Sequence, residues 1–324
     1  MSDNQELKGQ LPFPYNQDLG KVLTHLDRRT PFSRERLAND PVTAAYLAAA
    51  MRLVTRHLGP EPVRTALDPH DGNSLDRPLL SFLSQRAIAA EVSNNPDPFP
   101  RQGNVSTLRS RWKSQSDFVA DLINFVMWPG NYPADFYDQV AVGTERLLDG
   151  PNMVDAVHDL AYLNVRDAVS LPAFRLGFAA MTSAEGDEVI GEAVSASYTG
   201  FLEPWKEVYA ALLQARHLQL RPGITLNDIA NLLAATVDGL ALRSIGDPSS
   251  DLIDHERQRS LLGTMALAVI HSCLEPAESA DGMTLEDAVR MKVYRHTGTS
   301  SSNELSRADT HDRRDGLGMA APST

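Results

Sequence analysis

An all-α fold is predicted by three features of the 324-residue sequence. Strand signals are scarce, with no run of β-branched alternation and no Asn-Gly turn between apolar runs. Apolar residues instead recur at three- and four-residue spacing through most of the chain. Proline and glycine pairs interrupt these stretches where helices start and stop.

The elements follow in order. Residues 1–40 form a polar N-terminal extension with few periodic positions, expected to be largely disordered. Val42–Leu58 places Ala45, Ala49, Leu53 and His57 on one helical face, with Tyr46, Ala50 and Val54 beside it. Asp40-Pro41 starts that helix and Gly59-Pro60 stops it. Arg77–Ser93 is the next helical stretch. Residues 94–103 (NNPDPFPRQG) hold three prolines and a glycine, which forbid a continuous helix. A helix is predicted from near Val105 through Trp112, and another over Ser116–Trp128 with Phe118, Leu122, Phe125 and Val126 at helical spacing. Longer helices are predicted near 136–148, 152–167, 170–183, 186–215, 225–245 and 254–274. The 225–245 helix has Thr225 as N-cap with Asp228 three residues on, and it ends at Gly246. Residues 277–324 are rich in Ser, Thr, Asp and Arg and are expected to be a disordered tail.

Charge divides the chain. The net charge is −12, yet residues 1–130 carry 15 Lys/Arg against 14 Asp/Glu, and residues 131–324 carry 15 against 28. A near-neutral head on an acidic body suits a protein whose head approaches phosphates and whose body stays off them. The single cysteine, Cys273, excludes an intrachain disulfide and a multi-cysteine zinc site. No uninterrupted apolar run approaches the ~20 residues of a membrane span, and the N-terminus is not a secretory signal. A cytoplasmic chain without a membrane partner is expected. HExxH, GxSxG, Walker and GxGxxG patterns are absent, as are DDxxD clusters. His70-Asp71 and His255-Glu256 are isolated pairs without further ligands at metal spacing. No metal, no cofactor and no enzymatic activity are expected.

Val105–Ile123 (VSTLRSRWKSQSDFVADLI) resembles the recognition helix and following helix of TetR/AcrR-family transcriptional regulators, with Thr107, Leu108 and Trp112 on the Thr, Leu and second aromatic positions. Arg86–Ser93 (RAIAAEVS) resembles the first helix of that family's helix-turn-helix. LNDIANLLAATVDGLALRSIGDP followed by DHERQRSLLGTMALAVI resembles its last two helices. The likeness covers residues 41–276. It departs in the turn at 94–103, which is about ten residues longer than in a compact helix-turn-helix. An insertion (PEPVRTALDPHDGNSLDR) also separates the first two helices. Arg109 stands where the family usually has Tyr, and Gln115 where it has Lys near the next helix start.

The resemblance implies a helix-turn-helix DNA-binding domain over 41–130 and a ligand-binding and dimerisation domain over 131–276. In the head, Ser106, Thr107, Arg109, Ser110, Arg111 and Lys113 are the candidate DNA contacts, because guanidinium forks read guanine edges and hydroxyls bind phosphates. The plain alternative is a solvated basic face. In the body, His158, Tyr162, Arg166, Phe174, Phe178, Met181, Tyr198, Phe201 and Trp205 are candidates to line a small-molecule pocket, against the alternative of ordinary aromatic core. On the last two helices, Leu232, Leu233, Val237, Leu240, Leu262, Met265 and Val269 are candidates for a homodimer interface built as a four-helix bundle. Such a dimer would present two heads to a pseudo-palindromic double-stranded DNA operator and act as a repressor released by a small-molecule ligand. Two alternatives stay open. One is a degenerate relative that has lost DNA binding and serves as a ligand- or protein-binding dimer. The other is a helical enzyme using the body cavity.

Overall fold

Capping side chains and N-terminal prolines set where the helices begin. Thr30 accepts from Ser33 N ahead of α2 (Pro31–Ala38), and Asp40 accepts from Val42 N ahead of α3 (Pro41–Leu58). Ser114 forms a capping box with Asp117, and Thr225 forms one with Asp228 as the spacing predicts. The computed structural model describes residues 2–60, 80–132 and 134–294. Among them the chain is mostly helical, in agreement with the all-α expectation, and the strands are only two or three residues long.

The N-terminal half is built around α3, which is buried on most sides. Alanines 44, 45, 48, 49 and 50 let neighbours approach it closely, and Tyr46 and Leu47 fill the space beside them. Around it stand α4 (Gln85–Glu91), α5 (Val105–Arg109) and α6 (Gln115–Met127), which contribute Ile88, Leu108, Phe118, Leu122 and Phe125 to one core. Arg52 and Arg56 of α3 reach Glu91 of α4 at 3.0 and 3.2 Å. Burial acts to raise the Glu91 pKa, but these bonds outweigh it and hold the carboxyl below its ordinary value.

The N-terminal extension is not loose. After α1 (Ser2–Gln10), residues 19–26 run as turns and irregular chain, with Leu19, Val22, Leu23 and Leu26 buried in that same core. Asp121 of α6, itself fully buried, accepts from the backbone N–H groups of Thr24 and His25 at 2.8 and 2.9 Å. The polar composition of the segment hides these few large apolar side chains, which are enough to anchor it. The proline-rich turn at 94–103 is also packed. Phe99 lies against Leu11, Ala44 and Ala48, and the Asn95 amide donates to Ala45 O and Pro100 O. The Tyr46 hydroxyl donates to Asn104 O at 2.8 Å and accepts from Asn104 N at 3.0 Å. The insertion between the first two helices lies, over residues 61–79, outside the described residues.

The second half comprises α7 (Ala134–Asp149), α8 (Met153–Ser170), α9 (Pro172–Met181), α10 (Glu188–Ala215), α11 (Leu226–Gly246) and α12 (Leu261–Cys273). Helix α8 is central, touching α7, α11 and α12, while α10 runs along both α6 and α11 and so joins the halves. Glycine is required at 263, where a Cβ would fall 2.3 Å from His158 Nδ1 and hold α12 off α8.

Several predicted boundaries move. The Arg77–Ser93 stretch is α-helical only over Gln85–Glu91, between single 3-10 turns at Ser81–Leu83 and Val92–Asn94, and its residues 77–79 lie outside the described residues. The 254–274 helix begins only at Leu261. Before it, β2 (Ile253–Asp254) and β3 (Arg259–Ser260) pair as a hairpin, with Asp254 accepting from Arg257 N and Arg259 bound to Asp155 and Asp159 at 2.9 Å. Residues 277–294 of the expected tail are ordered. Here β4 (Leu274–Pro276) pairs antiparallel with β1 (Leu218–Leu220), residues 285–294 are helical, and Leu285 packs against Ile229, Val269 and Cys273. Residues 295–324 lie outside the described residues.

Among the described residues, α11 is the one helix long and apolar enough to cross a membrane by length and composition, although Asp228 and Asp238 interrupt it. Only 17% of its most apolar 18-residue window is buried within the chain.

Candidate functional site

The six candidate DNA contacts divide at α5. Asn104 caps this helix by accepting from Thr107 N at 2.8 Å. Ser106, Arg109, Ser110 and Lys113 are exposed and Thr107 is half-buried. Arg109 Nε donates to Gln85 Oε1 of α4 at 2.8 Å, which keeps its guanidinium at the surface shared by the two helices. Arg111 is placed differently. It is 8% exposed and points inward, with Nε donating to Thr43 Oγ1 at 3.1 Å and Nη2 reaching Asp40 Oδ1 at 3.4 Å. The expectation of Arg111 as a groove contact is therefore corrected to a brace between α5 and the start of α3. Here α5 ends at Arg109 rather than continuing to Trp112, the Ser110 hydroxyl donates back to Thr107 O, and distant Thr43 and Asp40 receive the guanidinium. The following turn carries Arg111 and Trp112 into the core, where Trp112 Nε1 donates to Asp121 Oδ2 at 2.8 Å. One basic residue was missed. Arg28, half-buried, donates to Ser110 O at 2.9 Å and brings a charge from the N-terminal segment to the end of α5. The pair Arg28-Arg29 was its only signal in the sequence.

The body holds two adjoining cavities. The larger lies among α7, α8, α10, α11 and α12 and is walled by Val157, Leu160, Trp205, Tyr209, Leu233, Leu262 and Val269 among others. Asn164 is its one amide side chain. The smaller is walled by Phe174, Phe178, Met181 and Tyr198, with Ile123 and Met127 of α6 on another side. Phe201, Ala234 and Val237 line both. Six of the nine predicted ligand residues thus face cavities: Phe174, Phe178, Met181, Tyr198, Phe201 and Trp205. The other three line neither. Tyr162 OH lies 3.1 Å from His255 Nδ1, Arg166 is bound to Asp167, and His158 sits under Gly263.

Two polar groups meet at the smaller cavity. Tyr198 OH donates to Asp238 Oδ2 at 2.5 Å and lies 3.1 Å from Met181 Sδ. Burial raises the Asp238 pKa, and the Tyr198 hydrogen bond partly offsets this. Burial and the neighbouring carboxylate push the Tyr198 phenol well above its ordinary range.

The predicted dimer residues also divide. Leu233, Val237, Leu262 and Val269 turn inward and line the larger cavity, and Leu240 packs with Ala161, Val165 and Leu262. Periodicity marked the stripe but did not separate the side facing the cavity from the side facing outward. Leu232 and Met265 point outward, 42% and 41% exposed, together with Leu242 and Leu261. Cys273 is buried, and burial raises its thiol pKa. Among the described residues no group of three or more His, Cys, Asp or Glu side chains is placed to hold a metal ion.

Compared with protein-family models, with curated proteins and with solved structures, the chain matches none.

Proposed function

We propose that the chain is a dimeric DNA-binding transcriptional regulator of the TetR type, released from its operator by a small molecule held in the body. The observation that carries this reading is the double attachment of α6. Ile123 and Met127 of α6 face the smaller cavity, and Asp121 of the same helix holds Trp112 at the end of α5. A ligand that shifts α6 would therefore move the helix bearing Ser106 and Arg109, with Ser110 at its end. The reading follows from differential binding: a ligand favouring one α6 position shifts the population toward it, and typical couplings of ~1–3 kcal/mol change operator affinity about 5–150-fold.

The dimer is proposed to form through the outward faces of α11 and α12. Leu232 and Leu242 lie ten residues apart on α11, and Leu261 and Met265 lie one turn apart on α12. The low burial of α11 within one chain supports a second copy as its cover. A two-fold dimer would read a roughly palindromic operator in the cytoplasm.

A second reading is a helical dimer that senses a ligand without binding DNA. It is favoured by the five-residue length of α5 and the inward turn of Arg111. A salt series of binding to the chain's own upstream DNA, backed by random-sequence selection, separates the two. A protein neutralising Z phosphates loses affinity with a log–log slope near −0.9Z. A steep slope reduced by Arg109→Ala or Lys113→Ala supports the regulator. A flat response with no selected sequence supports the second reading.

A further inference from the structure

The walls of the two cavities combine extensive apolar surface with a single kind of charge. None of the residues that line either cavity is Lys, Arg or His. The one carboxylate is Asp238, at the smaller cavity, where Phe174, Phe178, Phe201 and the Tyr198 ring stand around the same space. Phe174 and Phe201 meet edge to face with centroids 6.4 Å apart. A carboxylate among aromatic faces attracts cations, through the charge and through the ring quadrupoles. A carboxylate ligand would find no basic partner and would be repelled by Asp238. Beyond Phe201, Ala234 and Val237, the larger cavity offers only aliphatic and aromatic side chains apart from Asn164.

We propose that the body binds an amphiphilic organic cation, with its ammonium head beside Asp238 in the smaller cavity and its apolar tail in the larger one. The proposal rests on reading the body as a ligand sensor and adds the chemical class of the ligand. Tyr198 is a positioning residue here: its hydroxyl holds the Asp238 carboxylate in one orientation, and its ring completes the aromatic wall. The lining of the larger cavity suits an apolar chain rather than a compact polar molecule, because aliphatic side chains predominate there and Asn164, Trp205 and Tyr209 are the few lining residues with a polar side-chain atom.

The test is calorimetric titration of the full chain with decyltrimethylammonium, 1-decanol and decanoate, each below its micelle-forming concentration. The ammonium is expected to bind most tightly and decanoate most weakly. Asp238→Asn is expected to weaken the ammonium about tenfold or more, the loss of a charged contact, while leaving decanol within about twofold. Should that variant fail to fold, Phe174→Leu is measured instead and is expected to weaken the ammonium about two- to fivefold more than decanol. Decanoate binding as tightly as the ammonium overturns the proposal, as does a variant that weakens all three probes equally. Because these titrations use free protein, they are independent of DNA. If the ammonium binds as expected but never changes DNA affinity, the ligand class stands and the regulatory reading fails. If the protein leaves DNA in response to decanoate alone, the regulatory reading stands and the ligand class fails.

Discussion

Arg111 and Thr43 are joined by a 3.1 Å hydrogen bond between two buried side chains, and this bond removes one guanidinium from the basic surface of α5. Removing a buried, hydrogen-bonded charge leaves its partners unsatisfied. Arg111→Ala is therefore expected to lower unfolding free energy by about 2–4 kcal/mol, with the salt slope of DNA binding unchanged in the folded fraction. Arg109→Ala touches only exposed contacts and is expected to alter stability by about 0.5 kcal/mol or less while reducing the slope. Urea unfolding and a salt series on both variants check the pair. Equal stability losses would refute the division between brace and contact.

The N-terminal segment should respond to pH through His25. Its Nδ1 lies 3.1 Å from Asp121 Oδ1, and this hydrogen bond raises the imidazole pKa against the lowering effect of burial. The Asp121 charge, with smaller contributions from Asp117 and Glu192, acts in the same upward direction. For a group whose folded pKa is raised, the added stability is fully present below the unfolded value of about 6.5 and is lost as pH rises through the folded value. His25→Gln should then cost more stability near pH ~5.5 than near pH ~9. Denaturation of both proteins at these two pH values tests the sign. A cost independent of pH would show that the ion pair contributes nothing.

How much of this was legible in the sequence depends on how local each cause is. The capping boxes at Ser114–Asp117 and Thr225–Asp228 act over three residues, and the Thr225 start was legible for that reason. The core positions Phe118, Leu122, Phe125 and Val126 followed from helical spacing alone. The aromatic recurrence from Phe174 to Trp205 marked cavity walls. Burial of Leu19 through Leu26 was not legible, because Asp121, which holds Thr24, lies 97 residues away. The inward turn of Arg111 depends likewise on Thr43, 68 residues earlier. Side-chain periodicity ranks faces by apolarity, and α11 is apolar on two of them. Only the placement of α8 and α10 decides which face, with Leu233 and Val237, looks into the cavity.

The outward face of α11 and α12 should govern association. Leu232→Glu combined with Met265→Glu places two charges in each copy of the proposed interface. Burying them unpaired would cost several kcal/mol, enough to dissociate the dimer at micromolar concentration. Both side chains are more than 40% exposed in the single chain, so its own folding should be little changed. Sedimentation velocity is expected to show a dimer for the unaltered chain and a monomer of native helicity for the double variant. A double variant that still sediments as a dimer would move the interface elsewhere.

Ala234 offers a test of whether the two cavities act as one. It lies on α11 and lines both, beside Phe201 and Val237. A phenylalanine there would extend into empty space rather than into packed neighbours, so the usual overpacking cost of ~1–3 kcal/mol should fall toward its lower end or vanish. The added ring would stand between the Asp238 end and the larger cavity. A ligand long enough to use both should then lose about tenfold or more in affinity, since every buried methylene it withdraws forfeits roughly 0.8 kcal/mol. A short cation such as tetramethylammonium, confined to the aromatic end, should be unaffected. Titrating both against Ala234→Phe discriminates the cases. Equal losses would mean that the substitution collapses the smaller cavity. No loss for the long ligand would mean that it lies within one cavity and that Phe201 separates rather than joins them.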